Sequence, residues 1–274
     1  MKPFLKWAGG KYKIIDTILA NLPDGDQLIE PFVGSGAVFL NANFDEYLLS
    51  DLNLDLINLF NLIKFEGKDF IEYAQSYFTV DNNTEKRFYE LREKFNYSSN
   101  VSEKSAIFIY LNRHCFNGLC RYNSKGGFNV PFGRYNAPTF PFAELNAFHV
   151  KSQKAIFKNT DFRQAMSEVL VTQSLNSNKK SIVYCDPPYV PLSATASFSD
   201  YTKDGFSLKD QTELANYATQ LRAKNISVII SNHHTPITEA LYNNVELITF
   251  NVQRFISSKT EKRVKAPELI ALYV

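Results

Sequence analysis

Several things are scarce in this chain of 274 residues, and each scarcity narrows the reading. There are three cysteines, Cys115, Cys120 and Cys185, in no zinc-ligand spacing. An odd count without such a pattern argues against a disulfide framework and for reduced thiols in a cytosolic protein. No apolar run reaches the ~18–20 residues of a membrane span, and the N-terminus lacks the apolar core of a signal peptide. A soluble intracellular protein without a membrane partner is therefore expected. The net charge is only +2, from 30 Lys+Arg against 28 Asp+Glu, so the total charge names no partner. No Gly-Lys-Ser/Thr follows Gly34-Ser35-Gly36, which excludes a P-loop. Phe39 stands where a dinucleotide fingerprint needs a third small residue, which excludes that motif too. No internal repeat or low-complexity tract is found.

What is present begins with Ser181-Ile182-Val183-Tyr184-Cys185-Asp186-Pro187-Pro188-Tyr189. Its first five residues form a short buried-strand pattern that ends at two prolines. Neither proline can donate to a ladder, and Pro187 forces Asp186 into extended backbone. The product is a stiff corner with a carboxylate, the Pro187 carbonyl and the Tyr189 ring at the carboxyl end of a strand, where open α/β sheets bind ligands. Two acceptors beside an aromatic plate suit the exocyclic amine of a nucleobase; the alternative for these four residues alone is a surface turn after a strand. Acceptors on the amine's N–H groups favour the pyramidal nitrogen that exists only in the transition state.

From the N-terminus, Phe4-Leu5-Lys6-Trp7-Ala8-Gly9-Gly10-Lys11 precedes a helical pattern over Tyr12–Leu22, with Lys11 placed to meet an anion such as a ligand carboxylate; the alternative is an ordinary capped turn with a solvated lysine. The segment 27–40 is a strand, a Gly-containing loop and a helix, which brings backbone N–H groups toward a nucleotide-like ligand. The strand Tyr47–Ser50 ends in Asp51, an acid able to accept from both ribose hydroxyls; the alternative is that Asp51, or Asn53, caps the helix Leu54–Phe65. A strand at Ala155–Phe157 leads to Asp161 and Phe162, placed to face an adenine. Ser207 with Asp210 forms a capping-box start for the helix Leu208–Lys224. Strands follow at Ile226–Ser231, Val245–Phe250 and Glu268–Val274. His233 and His234, at a strand end, are expected to be hydrogen-bonded surface residues. The loop Val190–Tyr201, rich in Ser, Ala and Thr, is a candidate flap, and a basic run extends from Arg254 to Lys265.

The βα rhythm stops at 58 and returns at 145. The expected organisation is therefore a catalytic domain of 1–57 and 145–274 with a recognition domain of 58–144. Within the latter, Lys68–Phe78, Glu85–Phe95 and Lys104–Asn112 read as amphipathic helices. Between Glu103 and Glu144 there is no acidic residue, whereas Lys104, Arg113, Arg121, Lys125 and Arg134 interleave with Phe116, Tyr122, Phe128, Phe132 and Tyr135. The turn signals Asn117-Gly118 and Gly126-Gly127 make Arg113–Tyr135 an irregular hairpin. Arg121 and Asn123 are the side-chain types that read guanine and adenine edges, and Phe116 could wedge into a base step. The alternative is a basic hairpin whose aromatics form a local core.

Taken together, Phe-Leu-Lys-Trp-Ala-Gly-Gly-Lys (4–11), Glu-Pro-Phe-Val-Gly-Ser-Gly (30–36), Ser-Asp-Leu-Asn (50–53), Asn-Gly-Leu-Cys-Arg-Tyr-Asn (117–123), Phe-Asn-Val-Pro-Phe-Gly-Arg-Tyr (128–135) and Asp-Pro-Pro-Tyr (186–189) resemble the Dam family of DNA adenine-N6 methyltransferases, over nearly the whole chain and in the family's order. The resemblance implies an α/β fold: a Rossmann-like S-adenosylmethionine-dependent sheet with helices on both faces, plus a mainly helical DNA-recognition domain with a β-hairpin. It implies that Trp7, Lys11, Phe32, Gly34, Asp51 and Asp186 bind S-adenosyl-L-methionine, with S-adenosyl-L-homocysteine as product, no metal, and Asp161 and Phe162 at the adenine. Asp186, Pro187, Pro188 and Tyr189 become the catalytic set. The target becomes the adenine of GATC in double-stranded DNA, flipped from the stack. Lys6, Phe116, Asn117, Leu119, Arg121, Pro131 and Arg134 become DNA contacts. The protein is expected to be monomeric and cytoplasmic, at the nucleoid through DNA. Rival readings are N4-cytosine methylation, a non-catalytic DNA-binding protein on a vestigial cofactor fold, and an RNA substrate.

Overall fold

The computed structural model describes residues 1–175, 179–190, 206–253 and 265–274. The candidate flap and the C-terminal basic run, apart from Val190 and Lys265, lie outside the described residues. A short 3-10 turn, Lys11–Ile14, leads into α1 (Ile15–Ala20). Then come β1 (Gln27–Glu30), α2 (Ala37–Asn41), β2 (Glu46–Asp51), α3 (Leu54–Glu66), α4 (Lys68–Gln75), α5 (Glu85–Tyr97) and α6 (Val101–His114). The second half holds α7 (Phe142–Ser152), β3 (Ala155–Asn159), α8 (Phe162–Leu175), β4 (Ser181–Cys185), α9 (Leu208–Arg222), β5 (Ser227–His233), α10 (Pro236–Leu241), β6 (Glu246–Gln253) and β7 (Lys265–Tyr273). Among the described residues no helix is long and apolar enough to cross a membrane.

The chain packs as two compact units: Met1–Ile15, Val33–Asn43 and Asp51–Asn159 in the first, and Asp16–Phe32, Phe44–Ser50 and Thr160–Val274 in the second. The segment 58–144 lies wholly within the first unit, whereas 1–57 and 145–274 are divided between the two.

Among the described residues the sheet has seven strands, and those of the second unit run β2-β1-β4-β5-β7-β6. Strands β2, β1, β4 and β5 are mutually parallel, with Ile29 opposite Val183 and Cys185 opposite Ile230. Strand β7 inserts antiparallel between β5 and β6. All five residues of β4 are buried, the continuous apolar pattern expected of a parallel strand covered on both faces. Met166 and Val169 of α8 and Leu214, Ala218 and Leu221 of α9 join Val183, Cys185, Val228 and Ile230 in one core.

In the first unit Phe148 is the centre of an aromatic core, with ring centroids 5.2 Å from Phe4, 4.7 Å from Phe60 and 5.7 Å from Phe39. Strong N-caps set the helix starts: Asn53 accepts from Leu56 N, Thr84 from Arg87 N and Asn100 from Glu103 N, each contributing about 1 kcal/mol. Asn53, not Asp51, caps α3. Because Asn100 also caps, α6 begins at Val101, ahead of the expected Lys104. The expected helix over 12–22 resolves into the 3-10 turn and the shorter α1. Helices α7 and α10 were not expected; α10 is started by a capping box of Thr235 with Thr238, two threonines whose local hydrogen bonds replace the usual acid.

His114 is buried at the end of α6, with Nδ1 donating to the Tyr110 carbonyl at 2.9 Å and its ring stacked on Tyr110 at 4.0 Å. Burial, with Lys6 and Arg113 nearby, pushes it down to about 4 from an ordinary 6.5. An unfolded chain takes up this proton below 6.5 and the folded one does not. Stability should therefore fall as pH drops from about 6.5 to about 4, by up to ~3 kcal/mol from this residue. Urea melts across that window should show the loss, and His114→Gln should flatten the slope; an equal slope in both proteins would assign the effect elsewhere.

Candidate active site

The first unit carries one group of the expected site residues. Strand β2 ends at Asp51, whose carboxylate accepts from Gly34 N at 3.0 Å through Oδ2 and from Asn53 N at 2.9 Å through Oδ1. Desolvation pushes this carboxyl up, against the lowering by those backbone N–H groups. The Leu52 N–H is a third backbone donor to this carboxylate, and with about four lone-pair sites the group retains acceptor capacity beyond these three. Gly34 has φ of +48°, and a Cβ there would lie 2.9 Å from Trp7 Nε1. The glycine is thus required twice, by backbone and by the indole laid across it. The Trp7 carbonyl accepts from Gly10 N, closing the turn predicted around Gly9-Gly10. Lys11 is only 6% exposed, and its Nζ donates to the Gly9 carbonyl at 2.7 Å.

The second unit carries the other group. Beyond β4, Asp186 is half-buried, Pro187 buried, Pro188 exposed and Tyr189 half-buried. The Pro188 carbonyl accepts from Gln211 Nε2 at 2.7 Å. Val190 N donates to Asn232 Oδ1 at 3.1 Å, and His233 Nδ1 donates to the Val190 carbonyl at 2.5 Å. Tyr189 meets the His233 ring edge-on at 4.7 Å and donates from its hydroxyl to Glu268 at 3.3 Å. Burial, with Asp186 close by, drives the Tyr189 phenol well above its ordinary range, so it stays protonated. His233 is buried, contrary to the surface position expected for it, because the chain leaving the corner needs a donor at Val190; His234 is the partly exposed member, paired with Glu239.

In the same unit Phe32 stacks on Phe162 at 5.4 Å, and Phe206 packs on both. Phe162 is 2% exposed, a core ring with the half-buried Phe32 in front of it. Asp161 accepts from Arg163 N at 2.8 Å and pairs with its guanidinium, which also bridges Asp210 and Glu213 and lies over the Phe162 ring at 4.5 Å.

The hairpin 113–135, in the first unit, closes through antiparallel bridges Tyr122↔Phe128 and Cys115↔Phe132. Most of its aromatics face inward: Phe128 packs on Phe95, Phe132 on Phe88, and the Tyr122 hydroxyl bonds Asp55. Phe116 is the exception, half exposed at 50%. Both readings of the stretch therefore apply, to different rings. Arg121 is exposed and its Nε donates to Asn129 Oδ1 at 2.8 Å, which fixes the guanidinium's direction. Asn123 spends its Oδ1 on the N–H groups of Lys125 and Gly127, so it builds the turn and is not set up for a bidentate grip on an adenine edge. Asn117, at φ of +55°, donates from its backbone to the Tyr135 hydroxyl, leaving its side chain exposed. Pro131 is exposed, with its carbonyl accepting from Phe116 N, and Leu119 is half-buried. Arg134 is exposed, 3.6 Å from Glu85. Lys6 lies over the Tyr135 ring at 4.6 Å, and burial and the Arg113 charge depress its ammonium.

Of the residues that hold these groups, Asn232, Gln211, Glu268, Arg163 and Asn129 carry no motif in the sequence, and His233 is the one that the sequence singles out, though as a surface residue. The available signal was polar residues at core positions: Ser231-Asn232-His233 continues an apolar strand, and Gln211 shares the inward face of α9 with Leu214.

The open, largely parallel sheet is an α/β fold of the Rossmann-like methyltransferase type. Residues 7–256 match a family described as D12 class N6 adenine-specific DNA methyltransferase. The chain is 48% identical over 273 residues to the DNA adenine methylase of Serratia marcescens, covering 99% of this chain and 98% of that protein. It is 45% identical to those of Escherichia coli K12, over 272 residues (99% and 95%), and Vibrio cholerae El Tor, over 273 residues (99% and 96%). The chain belongs to the D12 class of N6 adenine-specific DNA methyltransferases, and its activity is methylation of adenine in DNA.

Gly34→Ala should displace the indole of Trp7, the single tryptophan of the chain, and cost about 1–2 kcal/mol through left-handed backbone alone. Tryptophan emission and thermal melting check this; an unshifted spectrum with an unchanged midpoint would contradict the packing described.

Proposed function

We propose that the protein transfers a methyl group from S-adenosylmethionine to N6 of the adenine in GATC, in duplex DNA, with the target base turned out of the helix. The observation that carries this reading is the corner after β4, where Asp186 and Pro187 precede a Tyr189 whose ring meets His233 and whose hydroxyl donates to Glu268. The names of the relatives, DNA adenine methylases, support the base and the atom.

The residues present suit the methyl donor. Asp51 has acceptor capacity for a ribose, Trp7 and Gly34 form a tight apolar wall, Lys11 supplies a cation, and Phe32, backed by Phe162 and with Asp161 nearby, supplies a ring face for an adenine. When bound, S-adenosylmethionine supplies a methyl already activated on a sulfonium, with S-adenosylhomocysteine as the leaving product. Asp186 and the Pro187 carbonyl accept the two N6 hydrogens and draw the nitrogen toward the pyramidal form it has in the transition state. Pro188 restricts the corner, and Tyr189 stacks on the purine. Asp186 holds the proton that N6 sheds once methylated. No covalent bond to the enzyme is required.

On the DNA side, Arg121, aimed by Asn129, is the guanine reader. Phe116 fills the gap left in the stack, while Lys6, Asn117, Leu119, Pro131 and Arg134 flank the reading hairpin. Asn123 is assigned to the turn. The protein is proposed to act as a monomer in the cytoplasm, where bacterial DNA lies.

The deciding experiment is transfer of labelled methyl to duplexes differing only in GATC, followed by identification of the modified base. N6-methyladenine confined to the GATC duplex is expected; equal label in both, or label on cytosine, would reject the assignment. Asp186→Ala should abolish turnover while leaving DNA affinity within a few-fold, as read by gel shift. Arg121→Ala should lose ~1–3 kcal/mol of discrimination at one guanine, seen as relaxed rates on single-base variants of the site.

A further inference from the structure

Asn232 is 0% exposed at the end of β5, among apolar strands where an amide costs free energy unless every hydrogen-bonding group is used. Its Oδ1 accepts from Val190 N at 3.1 Å and from its neighbour His233 N at 2.9 Å. Its Nδ2 donates to Gln211 Oε1 at 3.1 Å and to the Tyr242 hydroxyl at 3.2 Å. Gln211, also 0% exposed, passes the connection on: its Nε2 donates to the Pro188 carbonyl at 2.7 Å. Two buried amides thus grip the main chain on both sides of Tyr189, at the Pro188 carbonyl and the Val190 N–H. A β-strand does not need an asparagine there, and a helix facing a core does not need a glutamine. What the pair accomplishes is to fix one loop's backbone.

We infer that Asn232, acting through Gln211, is a positioning residue for methyl transfer: it sets the Pro188–Val190 main chain so that the acceptors of Asp186 and Pro187 meet the target amine. This rests on the reading of the Asp186 corner given above. The demand is geometric, because an error of about 1 Å in a group aimed at a reacting atom can cost on the order of 100-fold in rate. Binding surfaces elsewhere are untouched by such an error, so the effect falls on the chemical step.

The test compares Asn232→Ala, Gln211→Met and Tyr242→Phe with the unaltered protein and with Asp186→Ala. Single-turnover rates are measured on preformed complexes with GATC duplex and S-adenosylmethionine. S-adenosylhomocysteine affinity is measured by calorimetry, and fluorescence of 2-aminopurine at the target position reports how the extruded base is held. Asn232→Ala is expected to slow transfer about 100-fold, with cofactor and DNA affinities within 3-fold and altered 2-aminopurine emission. Gln211→Met should slow it about 10-fold, and Tyr242→Phe, which keeps the ring and loosens one anchor of Asn232, by less. Full transfer rates in Asn232→Ala would overturn the inference; so would losses spread equally over rate and both affinities. Should Asn232→Ala not fold, full rates in folded Gln211→Met and Tyr242→Phe would overturn it equally. Near-full activity of Asp186→Ala would instead remove the reading on which the inference stands.

Discussion

A parallel strand that must stop at a fixed point governs the second unit. Strand β4 is buried along its whole length, so its register is locked by β1 on one side and β5 on the other. The prolines end the ladder where that register dictates, and the carboxylate of Asp186 inherits its position from the core. Because neither proline has an N–H, the corner cannot be held by strand pairing. It is held by side chains of α9, β5 and β7: Gln211 on the Pro188 carbonyl, Asn232 and His233 on Val190, Glu268 on the Tyr189 hydroxyl. Rigidity here is bought from elements distant in sequence.

The first unit solves a different problem, presenting cations without collapsing the loop that carries them. The hairpin 113–135 has little ladder of its own, two isolated bridges, and short hairpins are marginal alone. Its stability comes from Phe128 and Phe132 inserted against α5 and from Tyr122 tied to Asp55. With these rings turned inward, Arg121, Asn117 and Phe116 are left outward on a firm base. The absence of acids from 104 to 143 keeps that face from neutralising itself; the Arg134–Glu85 pair, at 3.6 Å, is an exposed contact of little strength.

The same economy appears at the end of β2. Asp51 could have been a helix cap, but Asn53 takes that duty with its own side chain, and Asp51 is used to tie the Gly34 loop to the start of α3. A carboxylate held by backbone N–H groups in partly desolvated surroundings is well oriented, which is what paired hydroxyls of a ligand require.

Much of this was legible in the sequence, for local reasons. The alternation of strands and helices, the proline stop after β4, the acid ending β2, the Gly34 loop and the Ser207–Asp210 capping box are each carried by a few adjacent residues whose backbone preferences leave little choice. Helix α7 and the start of α6 were less legible, since Pro141 and Asn100 mark their beginnings without a strong apolar period behind them. Only the folded chain decided which aromatics of the hairpin are core and which is exposed, that Asn123 is spent on a turn, that Phe162 backs Phe32 from inside, and that His233 is buried. It also alone brought Asn232, Gln211 and Glu268 to the corner. Those outcomes depend on contacts between residues far apart in the chain, such as Tyr189 with Glu268 and Phe32 with Phe162, and a polar side chain at a core position looks the same in sequence whether its partner is water or the main chain of a loop.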